Sequence, residues 1–158
     1  MMDMRIVRAD TYENIKEILQ SCRNDFYNQS LNNDEMIDKL AQKFAMYGRV
    51  LAAQEGKQTA GFVAYYVNTD TKTAYISMII LQKAYQGQGI GSLLLKSMLA
   101  DCEQANQQKV RLEVADQNEK AIGFYKKWGF VWEGQASETS AYYSLTLRER
   151  NDGVCQSM

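Results

Sequence analysis

Hydrophobic positions recur along this chain with two periods, and the switches between them mark out the elements. Arg5-Ile6-Val7-Arg8 reads as a short first strand, and Ala9-Asp10-Thr11 supplies a helix cap. Tyr12, Ile15, Ile18, Leu19, Cys22 and Phe26 then recur at steps of three and four, one face of an amphipathic helix. Asn32-Asn33-Asp34 caps a second helix, with Met36 or Ile37, Leu40, Phe44 and Tyr47 on its apolar stripe and Gly48 at its end. From residue 49 the helical period gives way to the pattern of strands. Residues 49–54 and 59–67 flank the polar turn Glu55-Gly56-Lys57 and predict a hairpin. Beyond a turn at residues 68–71, residues 74–81 form the most apolar strand, and its few polar breaks predict burial on both faces.

The helical period returns with Gly91, Leu94, Leu95, Met98, Leu99 and Cys102. Residues 109–114 predict a strand, residues 118–128 a short helix, and residues 130–133 and 141–147 two final strands. The order is β-α-α-β-β-β-α-β-α-β-β. It predicts a mixed α/β domain over residues 1–150, with about seven strands flanked on both faces by about four helices. Residues 151–158 are expected to be a flexible tail.

Composition narrows the chemistry. The 158 residues carry a net charge of -1, which gives no electrostatic case for nucleic acid or an anionic membrane. There is neither an apolar run of bilayer length nor a signal-peptide pattern at the start, so a cytoplasmic location is expected. Three widely spaced cysteines predict neither a disulfide framework nor a CxxC metal site. Histidine is absent, which excludes His-based zinc sites and Ser-His or Cys-His nucleophile pairs. No metal is expected.

The segment Gln86-Gly87-Gln88-Gly89-Ile90-Gly91-Ser92 lies between the apolar strand and the helix that follows it. A plain turn seldom needs three glycines, because each costs about 0.5–1 kcal/mol relative to alanine in ordered backbone. A dinucleotide fingerprint fails, since Ser92 stands where its third glycine belongs, and no Gly-Lys-Ser/Thr follows for a Walker loop. What remains is an anion site. Bare N–H groups at a helix N-terminus suit a pyrophosphate held by backbone alone, such as that of coenzyme A. The loop resembles the Gln/Arg-x-x-Gly-x-Gly/Ala loop of the GNAT N-acetyltransferase superfamily. Downstream, Leu112-Glu113-Val114-Ala115-Asp116-Gln117-Asn118 and Ala121-Ile122-Gly123-Phe124-Tyr125-Lys126-Lys127-Trp128-Gly129-Phe130 resemble that family's fifth strand, Asn cap and following helix.

The resemblance implies the GNAT (acyl-CoA N-acyltransferase) fold, with acetyl-CoA as co-substrate and an amine as acceptor. Gln86 through Ser92 would cradle the pyrophosphate, and the backbone of Ile79, Ile80 and Leu81 would hold the pantetheine arm. Asn118 reads as a helix cap on position alone, and the resemblance also puts its amide on the pantetheine. Phe124 and Tyr125 lie on the stripe Ala121, Phe124, Tyr125, Trp128 and read as core aromatics by spacing. The resemblance adds both to the coenzyme site and makes Tyr125 the general acid for the leaving thiolate. Residues 75–81 hold no carboxylate, so Glu113 on the next strand is the candidate general base, with a rim glutamate or a water chain as alternatives.

Lys83, Lys96, Lys126 and Lys127 either meet the coenzyme's ribose phosphate or lie solvated. Without histidine to activate a nucleophile, direct attack in a ternary complex is the simpler route. The acceptor is expected to be a small primary amine. The alternatives are a lysine or N-terminal amine of a protein, or a non-catalytic acyl-CoA-binding module. Asp34, Glu35 and Asp38 with Phe26, Tyr27, Tyr65 and Tyr66 are candidates for a cation-friendly acceptor site. The resemblance also makes a homodimer an expectation.

Overall fold

The computed structural model describes residues 3–147. The tail expected at residues 151–158 lies outside the described residues. The elements are β1 (Met4–Ala9), α1 (Tyr12–Cys22), α2 (Asp34–Tyr47), β2 (Arg49–Glu55), β3 (Gln58–Tyr66) and β4 (Thr73–Leu81), then α3 (Ile90–Gln104), β5 (Lys109–Ala115), α4 (Glu119–Lys127), β6 (Val131–Gln135) and β7 (Ser140–Thr146). This is the order expected from the hydrophobic periods. Among the pairs of known register β4–β5 is parallel and β1–β2, β2–β3, β5–β7 and β6–β7 are antiparallel, which makes the protein a mixed α/β structure.

The chain forms two compact units. The first runs up to Tyr66 and includes Met78–Asp101; the second holds Val67–Ser77 and the chain from Cys102 on. Strand β4 therefore gives its last residues to the first unit and its first residues to the second. In the first unit the strands lie in the order β1-β2-β3-β4, and in the second β4-β5-β7-β6.

The core of the first unit is built by the two predicted amphipathic helices. Ile15, Ile18, Leu19 and Cys22 of α1 meet Ile37, Ala41 and Phe44 of α2, over Val50, Ala52, Phe62, Ala64 and Ile80 of the strands. Each buried aliphatic or aromatic side chain contributes about 1.5–3 kcal/mol. The caps are those the sequence predicts: Thr11 Oγ1 accepts the N–H of Asn14, and Asn33 Oδ1 that of Met36, each worth about 1 kcal/mol. Two predicted stripe residues fall elsewhere. Phe26 is buried, but α1 ends at Cys22 and a single 3-10 turn, Arg23–Asp25, carries the chain to it. Tyr47 is 69% exposed, because it stands at the last position of α2, past the reach of the sheet.

An ion pair with a phenol ties α3 to this sheet. Asp101 accepts from Arg49 Nη1 at 2.9 Å and from Tyr65 Oη at 2.6 Å. Burial works to raise the Asp101 pKa, but the hydrogen bonds from Tyr65 and Arg49 outweigh it and hold the carboxyl below its usual range.

Strand β4 corrects one expectation. Ala74, Ile76 and Ile80 are buried, whereas Tyr75, Ile79 and Leu81 are half-buried and Ser77 is exposed. An apolar strand with one open face has a use other than filling a core. Its approach to β3 is set by Gly61, where a Cβ would lie 2.4 Å from the Ile80 carbonyl oxygen and 2.6 Å from a Leu81 methyl. Gly61→Ala is therefore expected to destabilise the fold by about 3 kcal/mol, since backbone cannot yield as a side chain can. A urea melt reads this directly; an unchanged midpoint would contradict the close approach.

In the second unit, Val110, Leu112 and Val114 of β5 and Ala141, Tyr143 and Leu145 of β7 are buried. Their alternates Lys109, Arg111 and Glu113 point to the other face, together with Tyr142 and Ser144.

Candidate active site

The first unit presents the glycine loop as a prebuilt shape. A 3-10 turn, Lys83–Tyr85, leads into it and is anchored at both ends. The Gln82 N–H donates to Ala60 O at 2.8 Å and the Gln82 amide to Thr59 O, while Tyr85 Oη reaches Gln58 Oε1 at 2.8 Å and Glu55 Oε1 at 3.3 Å. Gly87 and Gly89 then adopt φ of 79° and 82°, a region that side chains with a Cβ rarely enter, and nothing lies within 4 Å of where their Cβ atoms would be. Helix α3 starts directly on this loop, because Leu93 N–H donates to Gly89 O at 3.1 Å.

Gln86 behaves differently from its neighbours. Its N–H is donated to Lys83 O at 3.2 Å, and its side-chain amide donates to Leu81 O at 3.2 Å. It shapes the loop, and the free donors begin at Gly87. Among the described residues none of the N–H groups of Gly87, Gln88, Gly89, Ile90, Gly91 and Ser92 is donated to protein. Undonated N–H groups at the positive end of a fifteen-residue helix are what an anion site in general requires.

The backbone of β4 sorts the three residues expected to hold a pantetheine arm. Gln82 N–H bonds β3 and Ile80 O abuts Gly61 of the same strand, so the polar groups of Ile80 face β3. Strand alternation turns those of Ile79 and Leu81 to the opposite edge, while registered pairing with β5 spans only Thr73 to Ile76. Ile79 and Leu81 can offer main-chain groups to an extended ligand. Ile80 can offer only its side chain.

In the second unit, Asn118 is the N-cap of α4, accepting the Ala121 N–H at 3.3 Å on its Oδ1. Its Nδ2 donates to no group among the described residues. Tyr125 is buried, with Phe124 edge-on at 5.4 Å and Phe130 at 5.4 Å. Burial pushes the phenol's pKa well above its ordinary value, so Tyr125 keeps its proton throughout the physiological range. Its hydroxyl makes no hydrogen bond among the described residues. Glu113 is exposed, and Ser140 Oγ donates to its Oε2 at 2.6 Å. Tyr142 stands opposite it on β7, and Tyr75 of β4 lies beside Arg111. Burial, aided by the Glu113 carboxylate, raises the Tyr75 pKa. Lys109 and Arg111 both pair with Glu133, and Arg111 stacks on the Tyr142 ring at 3.8 Å.

Of the candidate lysines, Lys83 and Lys96 belong to the first unit and Lys126 and Lys127 to the second, and all four are exposed. Of the candidate acceptor-site residues, all in the first unit, Phe26 and Tyr65 are buried, Tyr66 is half-buried and Tyr27 is exposed, while Asp34 pairs with Arg23 and Glu35 with Lys39. Asp38 is held by Tyr12, Lys16 and Gln42, because α1 and α2 pack side by side and these polar rims lie along the contact.

Residues 12–130 match the family described as Acetyltransferase (GNAT) family. The chain belongs to the GNAT acetyltransferases. A putative [ribosomal protein bS18]-alanine N-acetyltransferase of Bacillus subtilis (strain 168) is 26% identical over 132 residues, covering 80% of this chain and 78% of that one. A solved acetyltransferase from Thermus thermophilus superposes with a TM-score of 0.78 at 17% identity, covering 92% of this chain and 99% of its own. PaiA N-acetyltransferase from Thermoplasma acidophilum, solved in complex with coenzyme A, gives 0.69 at 17% identity, over 90% of this chain and 99% of its own. The fold is thereby the GNAT fold, and the family match runs through both compact units.

Within this GNAT acetyltransferase, covalent relay through cysteine has little support. Both described cysteines are buried, and burial pushes the Cys22 thiol up to about 12, which leaves no thiolate at neutral pH. Among the described residues no helix is long and apolar enough to cross a membrane. Sequence reading missed Tyr85, Tyr75, Ser140 and Tyr142. The last two had a signal: Lys109, Arg111 and Glu113 alternate with apolar Val110 and Leu112, and Ser140, Tyr142 and Ser144 alternate with Ala141 and Tyr143, which marks a second, more polar sheet face.

Proposed function

We propose that this GNAT enzyme transfers an acetyl group from acetyl-CoA to a primary amine by direct attack. The observation that carries the reading is the glycine loop with its undonated N–H groups at the head of α3, the natural seat for a diphosphate bound without metal. Ile79 and Leu81 would pair with the pantetheine amides in the manner of an added strand. The free Nδ2 of Asn118 would bond the same arm.

Glu113 would take a proton from the acceptor's ammonium, which is nearly all protonated at neutral pH. The nitrogen lone pair then attacks the thioester carbonyl, the C–N bond forms and the C–S bond breaks. Tyr125 would protonate the departing sulfur, and the proton that the nitrogen sheds as the amide forms would restore the phenol. A thiolate released into a desolvated site is itself made more basic, which narrows the gap to the raised phenol.

The test is release of free thiol from acetyl-CoA against amino sugars, polyamines, amino acids and short peptides. A small-molecule amine is the first expectation. A protein N-terminus is the second, favoured by the Bacillus subtilis relative, whose name specifies a ribosomal protein's alanine. Glu113→Gln should lower kcat/KM by about 100-fold with acetyl-CoA binding unchanged by calorimetry. Full activity in that variant would remove the base role.

A further inference from the structure

Glu113 projects from the open face of β5 as an exposed, rotamer-rich side chain, a poor base unless something fixes it. Something does. Ser140, diagonal to it on β7 and buried, donates its hydroxyl to Glu113 Oε2 at 2.6 Å. A serine has a single proton to give, so the 2.6 Å contact between Ser140 Oγ and Ser137 Oγ must run from Ser137 to Ser140. The donor chain is therefore Ser137 to Ser140 to Glu113. The turn around it is tight: Ala136 and Ser137 N–H both donate to Ser140 O, and Thr139 N–H donates to Ser137 Oγ. Among the described residues Glu113 has no ion pair, and its Oε1 receives no hydrogen bond from protein.

We infer that Ser140 is the positioning residue of the base: it immobilises one carboxylate oxygen so that Oε1 alone faces the acceptor nitrogen. The proton leaving the ammonium goes to Oε1, giving a neutral amine and a carboxylic acid, and exposed Glu113 returns that proton to water. Ser140 touches neither acceptor nor coenzyme in this arrangement. The serine at a hairpin end would be satisfied by its own turn, and a purely structural role leaves its aim at the carboxylate unexplained. The inference rests on the acetyl-transfer reading and on Glu113 as its base.

The test is a double-mutant cycle read by thiol release. Ser140→Ala should lower kcat about tenfold, the scale of one hydrogen bond to a charged group, with KM for acetyl-CoA unchanged. Ser140→Thr, which keeps the hydroxyl, should recover most of the loss. In a Glu113→Gln background, Ser140→Ala should cost nothing further. If Ser140→Ala does not fold, Ser137→Ala on the exposed turn replaces it in the cycle, with a smaller loss that again vanishes in Glu113→Gln. The inference is overturned if the alanine variant keeps wild-type kcat, or if it loses the same factor with Glu113 already replaced. It also falls if Glu113→Gln is fully active. A wild type that releases no thiol with any amine defeats the acetyl-transfer reading itself, and that result comes from the wild-type arm alone.

Discussion

Gly89→Val should bind coenzyme A at least about 100-fold more weakly than the wild type while remaining folded. The backbone at Gly89 has φ of 82°, which a β-branched residue adopts only under strain of about 1–3 kcal/mol. The strain is the smaller part of the effect. The valine would place methyl groups beside the undonated N–H groups of the loop, in space that is empty within 4 Å of the Cβ position. An isolated turn could relax, but this one is pinned through Tyr85 and Gln82 to the β2–β3 hairpin. Calorimetric titration with coenzyme A and a urea melt separate the two effects. Affinity within threefold of the wild type would remove the loop from the coenzyme site, whatever the melt shows.

The second large effect is expected at Tyr125. Tyr125→Phe should lower kcat by about 100-fold, the lower range for removing a positioned acid or base, and change KM for acetyl-CoA by less than about threefold. Phenylalanine keeps the ring contacts to Phe124 and Phe130, and no protein partner loses a hydrogen bond. The folded state should therefore be nearly unaffected, so that a kinetic loss belongs to the hydroxyl. Because burial holds the phenol above its ordinary pKa, Tyr125 stays protonated as pH rises through neutrality. Rate measurements with both substrates saturating decide the matter: equal kcat in the two proteins leaves Tyr125 a core aromatic and nothing more.

Much of the fold was legible because its helices are amphipathic and its turns use explicit cap residues. Thr11, Asn33 and Asn118 each stand at a helix start and each cap it, so local chemistry and tertiary structure agree. The misses were tertiary. Phe26 fits the helical spacing yet is buried from beyond the helix end, since burial does not record the path by which the chain arrives. Strand β4 reads as doubly covered from its composition, but the openness of Tyr75, Ser77, Ile79 and Leu81 depends on what stands opposite. Apolar content says what a strand can bury, and the neighbours decide what it does bury.

At the candidate site the motif residues were legible and their wiring was not. The glycines announce the loop, but the commitment of Gln86 to Leu81 and Lys83 is a matter of geometry that no spacing encodes. Glu113 was reached by elimination of carboxylates on β4. The hydroxyl that holds it lies 27 residues away and belongs to another strand.

The bond from Gln86 to the Leu81 carbonyl bears on solubility as well as on binding. A strand edge with unpaired amide groups is a template for another chain, and exposed apolar edges of this kind nucleate aggregation. The Gln86 amide occupies one acceptor on that edge, and under the proposed reading it would cover part of what a bound pantetheine would otherwise cover. The residue that shapes the loop thus also leaves one acceptor fewer on that edge. In molecules short of acetyl-CoA, a neighbouring chain would find that carbonyl already bonded.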